Sequence, residues 1–93
     1  LVLAVATVDI ESKEILAGPD ILSRGFVYMR ESGEMISEGQ TVLFNSLRET
    51  LQEPNCTEYK LKEAMSAALQ PFLFEKTERH PMILSMVMTL DSI

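Results

Sequence analysis

The chain holds little of what enzyme sites are usually built from. It has one histidine, one cysteine and no tryptophan in 93 residues. A lone cysteine, Cys56, excludes an internal disulfide and a zinc site built on cysteine pairs, and such sparse usage fits a reducing cytoplasm. It sits in a loop before a helix with no histidine in its motif, so it reads as an unreactive thiol. The lone histidine, His80, lies between Arg79 and Pro81 in a charged segment. It reads as a solvated loop residue, not as the base of a Ser-His-Asp triad. No second histidine is present for a histidine-carboxylate metal site. Cations are also few: eight Lys and Arg stand against fourteen Asp and Glu, a net charge of -6. Nucleic-acid binding relies on clustered cations facing phosphates, so this balance opposes an RNA-gripping role and suits solubility or a basic partner. No apolar run approaches the roughly 18 residues of a membrane span. The opening LVLAVATV lacks a basic leader and a cleavage signal, so it does not read as a secretory peptide. With no initiator Met ahead of it, the expectation is a segment of a longer chain.

What is present describes one small globular domain. Hydrophobic residues make up 46% and charged residues 24% of the chain, an ordinary balance for a folded protein. At this length one modest core is all it builds. Residues 1–10, LVLAVATVDI, are rich in β-formers and apolar on both alternating faces. The charged turn ESK leads into EILAG (14–18), a short hairpin partner. FVYMR (26–30) is a third β-prone piece. Ser32 then offers an N-cap, with Glu34 in the first turn. Met35, Ile36, Gly39, Val42, Leu43, Leu47 and Leu51 recur at helical spacing, and Pro54 closes that helix. Asn55 or Thr57 caps a second one, with an apolar stripe of Leu61, Ala64, Met65, Ala68, Leu69 and Phe72. Pro71 inside it predicts a kink or a restart, because it cannot donate to the carbonyl of Ala67. PMILSMVMTL (81–90) is the last strand. The order predicts an α+β fold: a small, mainly three-stranded sheet plus a short hairpin strand, with two helices on one face. The first and last strands are expected to be the long ones, and neighbours.

Two features invite a functional reading. In the last strand Met82, Leu84, Met86, Met88 and Leu90 form a wholly apolar face. The helices can cover only one side of the sheet, so these residues are candidate interface positions. Four of the six methionines, Met65, Met82, Met86 and Met88, fall on a helix stripe or on this face, where packing accounts for them more simply than metal binding. The second feature is GPDILSRGF (18–26). Its glycines do not have the spacing of a phosphate loop. It reads as a connector in which Gly18 and Pro19 stop a strand and Asp20 caps local N–H groups. In the same segment Gly25 permits an unusual φ. Asp20, Ser23, Arg24 and Gly25 are its contact candidates. Arg24 is the one able to reach a carboxylate or phosphate; an internal anchoring role, with Asp20 as one candidate partner, is favoured over contact with a partner or RNA. The carboxylates are scattered singly, with no pair set to act as acid and base. No catalytic residue and no metal ligand is assigned.

The wording of two blocks adds more than their spacing. VATVDIESKEILAGPDILSRGFVYMRES near the start and FLFEKTERHPMIL near the end resemble the C-terminal domain of ribonuclease J. The blocks cover about 41 of the 93 residues. The resemblance implies a cytoplasmic RNase that acts as a 5′-to-3′ exonuclease and endonuclease in ribosomal RNA maturation and messenger RNA decay. Its chemistry would lie upstream, in a metallo-β-lactamase domain with a β-CASP insertion holding two metal ions, commonly zinc. The present domain would be non-catalytic and free of cofactor. It would support assembly with identical chains or with a paralogue, while RNA is met mainly by the upstream domains. A module that feeds RNA to the active site, using Arg24, Arg30, Lys76 and Arg79, is the alternative. The chain departs from the family wording at Ser85, where proline is usual, at Phe74, where tyrosine is common, and at Pro71. These departures suggest a divergent member, such as a second paralogue.

Overall fold

A computed structural model describes residues 1–24 and 33–90. The first strand, β1 (Val2–Asp9), is central, in a sheet ordered β2-β1-β3. Its neighbours are β2 (Glu14–Ser23), antiparallel, and β3 (Ile83–Thr89), parallel. β1 is thus flanked by partners on both edges, with its even-numbered residues buried and its odd-numbered residues half-buried. The β1–β2 turn is closed by Asp9, whose Oδ1 accepts from the amides of Glu11 at 3.0 Å and Ser12 at 3.3 Å. Between β2 and β3 come helices α1 (Gly33–Leu51) and α2 (Glu58–Thr77).

The α+β class, the helix pair and the β1–β3 pairing agree with the sequence reading. Other expectations change. EILAG does not end at Gly18: the strand runs on through Gly18, Pro19 and Asp20 to Ser23, making β2 the longest of the three at 10 residues. Two register shifts absorb the awkward residues. Val5 pairs with Asp20 and Thr7 with Ala17, so Gly18 and Pro19 together oppose Ala6. Bulges on edge strands tolerate proline in this way. Gly18 is required there: its φ is +80°, and a Cβ would lie 2.7 Å from the carbonyl oxygen of Val5. The third β-prone piece, 26–30, and the Ser32 cap lie outside the described residues.

The two helices pack on one side of the sheet. Val2, Ala4, Ala6 and Val8 of β1, with Ile21 and Val87, meet Leu43, Leu47, Leu51, Leu61, Met65, Leu69 and Leu73. Each fully buried Leu or Val contributes about 1.5–3 kcal/mol. Gly39 lets α1 come close: a Cβ would stand 2.7 Å from Ile21 Cδ1 and 3.3 Å from Phe72 Cε2. Thr57 is the N-cap of α2, its hydroxyl accepting from the Lys60 amide at 3.1 Å. The buried stripe of α2 ends on Leu73, while Phe72 is half-buried, because the spacing of four from Leu61 continues past Pro71. The helix neither stops nor restarts at Pro71. Ala67 and Pro71 are both exposed, so water can serve the carbonyl that loses its intrahelical donor.

Candidate functional site

β3 divides its side chains sharply. Ile83, Ser85, Val87 and Thr89 turn toward the helices and are buried or half-buried. Met82, Leu84, Met86, Met88 and Leu90 point the other way and stay 70, 50, 49, 52 and 58% exposed. The more polar face is inward because α2 offers it a partner: Ser66 Oγ lies 2.7 Å from Ser85 Oγ. The outward row is not isolated. Leu3 of β1 pairs with Leu84 on one side and Leu22 on the other, so three leucines cross the sheet in line. One step along, Val5 stands between Met86 and Asp20. Leu22 is 59% exposed. Sequence reading missed Leu22 by treating it as part of a loop. The Ile-Leu pair after Pro19 was the available signal that a strand continued.

The GPDILSRGF residues do not converge. Asp20 lies on the outer face opposite Val5, while Ser23 pairs with buried Val2. Arg24 is exposed at the end of β2, where its amide donates to the Leu1 carbonyl at 2.9 Å and its own carbonyl accepts from the Leu1 amino group at 3.1 Å. Among the described residues no ion pair joins Arg24 to Asp20, so Asp20 is not the partner of Arg24. Four residues of extended chain separate them by roughly 13 Å, beyond the reach of one contact. Gly25 lies outside the described residues.

The remaining chemistry-bearing side chains are dispersed. The His80 ring stacks on Phe74 with centroids 4.4 Å apart, and Gln70 Nε2 lies 3.4 Å from its Nδ1. Burial pushes the Cys56 thiol up from its ordinary pKa, and the nearby Glu53 adds to the rise. A protonated thiol is a poor nucleophile, in keeping with an unreactive cysteine. Lys76 Nζ is held 3.0 Å from Glu38 Oε2. Among the described residues no three His, Cys, Asp or Glu side chains come together to hold a metal ion, so the residues present do not fit the two-metal centre that the resemblance implies for a parent enzyme. No helix among them is long and apolar enough to cross a membrane. The surface depressions are open. One of about 460 Å³ is lined by Lys62, Glu63, Ser66, Ala67 and Ser85.

A three-stranded mixed sheet, backed by a helix pair and largely apolar on its outer face, defines a small two-layer α+β domain. The chain belongs to the ribonuclease J C-terminal domain family, whose pattern matches residues 1–90. It is 57% identical over 91 residues to Ribonuclease J 1 of Streptococcus pyogenes serotype M3, covering 98% of this chain and 16% of that protein. It is 39% identical over 88 residues to Ribonuclease J2 of Bacillus subtilis, covering 95% and 16%. Against Ribonuclease J 2 of Staphylococcus epidermidis the identity is 40% over 85 residues, covering 91% and 15%. The chain thus spans about a sixth of the length of these curated relatives. That order of identity gives the second-paralogue expectation no support.

Proposed function

We propose that this chain is the non-catalytic C-terminal domain of a cytoplasmic ribonuclease J-type enzyme, and that its outer sheet face supports oligomer assembly. The observation that carries this is the exposed row of Leu84, Met86 and Met88 beside Leu3 and Leu22. Contiguous apolar surface of this kind marks a contact site in soluble proteins. The partner is a second copy or a paralogous ribonuclease J. Hydrolysis of RNA, in ribosomal RNA maturation and messenger RNA decay, belongs on this reading to upstream domains that hold the two metal ions, commonly zinc. The RNA-feeding alternative draws less support: the net charge is -6, and Lys76, one of its four cations, is engaged by Glu38.

The test is the double substitution Leu84→Glu, Met86→Glu in the full-length chain, followed by light scattering across concentration. Two carboxylates on the outer face should weaken association by about tenfold or more, since desolvating them at an interface costs several kcal/mol. Unchanged assembly would overturn the reading. Loss of RNA affinity without change in assembly would favour the RNA-feeding module.

A further inference from the structure

The two edges of the sheet are built very differently. Edge strands present unpaired N–H and C=O groups, and soluble proteins blunt them with charges, proline and bulges. β2 has all three: Glu14 and Asp20, Pro19, and two register shifts. β3 has none. Residues 82–90 contain no charge and no proline, and β3 pairs with β1 from Val2–Ile83 to Val8–Thr89 without a register shift.

Its backbone polarity can be assigned. In the parallel ladder the Val2 amide donates to the Met82 carbonyl at 2.8 Å, and the Leu90 amide donates to the Val8 carbonyl at 3.0 Å. Even-numbered residues therefore bond to β1, and Ile83, Ser85, Val87 and Thr89 aim their N–H and C=O groups at the outer edge. Among the described residues no strand pairs there. A proline at position 85, as in the family wording, would delete the donor near the middle of this edge. Serine keeps it.

We propose that the outer edge of β3 pairs antiparallel with the β3 of a second copy of this chain. A two-fold axis at Met86 sets Ser85 opposite Val87 and Ile83 opposite Thr89, so every edge-facing amide and carbonyl of both strands is satisfied. The occupant is a second copy because the edge is self-complementary about Met86: the same four amides and carbonyls meet their own counterparts. Each chain carries a net charge of -6, yet the strands meeting at this edge bring no charge to repel. A phosphate backbone finds no cation on this strand. The joint fuses two three-stranded sheets into one and merges their outer faces, which makes it compatible with the assembly role. The inference rests on that role, and its test separates the two.

The experiment uses the full-length chain. Residue-resolved hydrogen exchange is measured at concentrations where the protein is associated and after dilution to the monomer. The amides of Ile83, Ser85, Val87 and Thr89 should be protected only in the associated form. Ser85→Pro should weaken association by about tenfold or more, because each copy loses a donor and gains a ring at the joint. Ser85→Ala, which keeps the amide, should stay within about twofold. Should Ser85→Pro fail to fold by circular dichroism, the exchange pattern of the wild-type chain decides alone. Free exchange of these four amides in the associated form overturns edge pairing. If Leu84→Glu, Met86→Glu still abolishes association in that case, assembly through the outer face stands. Protection that persists in the monomer also overturns the proposal, because the edge would then be covered from within the same chain.

Discussion

Ser66 on α2 and Ser85 on β3 share a hydrogen bond of 2.7 Å between their hydroxyls. It ties the helix layer to the edge strand at a position where the strand's inward face is otherwise apolar or β-branched. Ser85→Ala leaves the half-buried Ser66 hydroxyl without this partner. The expected loss is about 0.5–1.5 kcal/mol, the range for one intramolecular hydrogen bond. Urea denaturation should show a lower midpoint with an unchanged slope. Ser66→Ala, Ser85→Ala together should cost less than the sum of the single changes.

Gly18 tests the bulge in β2. Alanine there would have to hold a φ of +80° with its Cβ 2.7 Å from the Val5 carbonyl oxygen. A side chain forced into that backbone region costs about 1–3 kcal/mol before the collision is relieved. Thermal unfolding of Gly18→Ala should show a clear fall in Tm, whereas Gly33→Ala, with nothing within 4 Å of the new methyl, should not.

Lys76 gives the domain a sign-definite response to alkali. Its hydrogen bond to Glu38, and then the charge of that carboxylate, raise its pKa above the ordinary 10.5. A pKa raised on folding means a contribution that is whole below the unfolded value and lost as pH climbs through the folded one. Stability from this pair should therefore be intact at neutral pH and decline above about 10.5. In Glu38→Gln the Lys76 titration followed by NMR should move back toward its ordinary value. High salt should narrow the difference between the two proteins, since both side chains reach water.

Much of this fold was legible. The run of β-formers in residues 2–8 announced a strand, and the apolar spacing of three and four in both helix segments located the core. The alternation in residues 82–90 separated an apolar face from a mixed one, and the apolar face is the exposed one. Misreading centred on residues whose local habits were overruled by context. Gly18 and Pro19 commonly end strands, yet an edge bulge keeps them inside one. Pro71 commonly breaks helices, yet the Ala67 carbonyl that it leaves without a helical donor belongs to an exposed residue, which water can serve. The Ser66–Ser85 contact spans two elements 19 residues apart, and no local pattern announces such a partner. Arg24 and Asp20 looked like natural partners only while the segment was taken for a tight loop. Extended chain keeps them apart.

The parallel pairing of β1 with β3 also sets an order of events. Val2 meets Ile83 and Val8 meets Thr89, so the central strand waits for the far end of the domain before its second edge is filled. The β1–β2 hairpin and the helix pair can form from nearby residues, but closing β1 against β3 requires a loop of about eighty residues to be drawn shut, with its entropy cost. During synthesis the apolar β1 is thus made early and completed late. Until residue 89 leaves the ribosome, β3 cannot fill the second edge of β1, and that edge stays open to other chains.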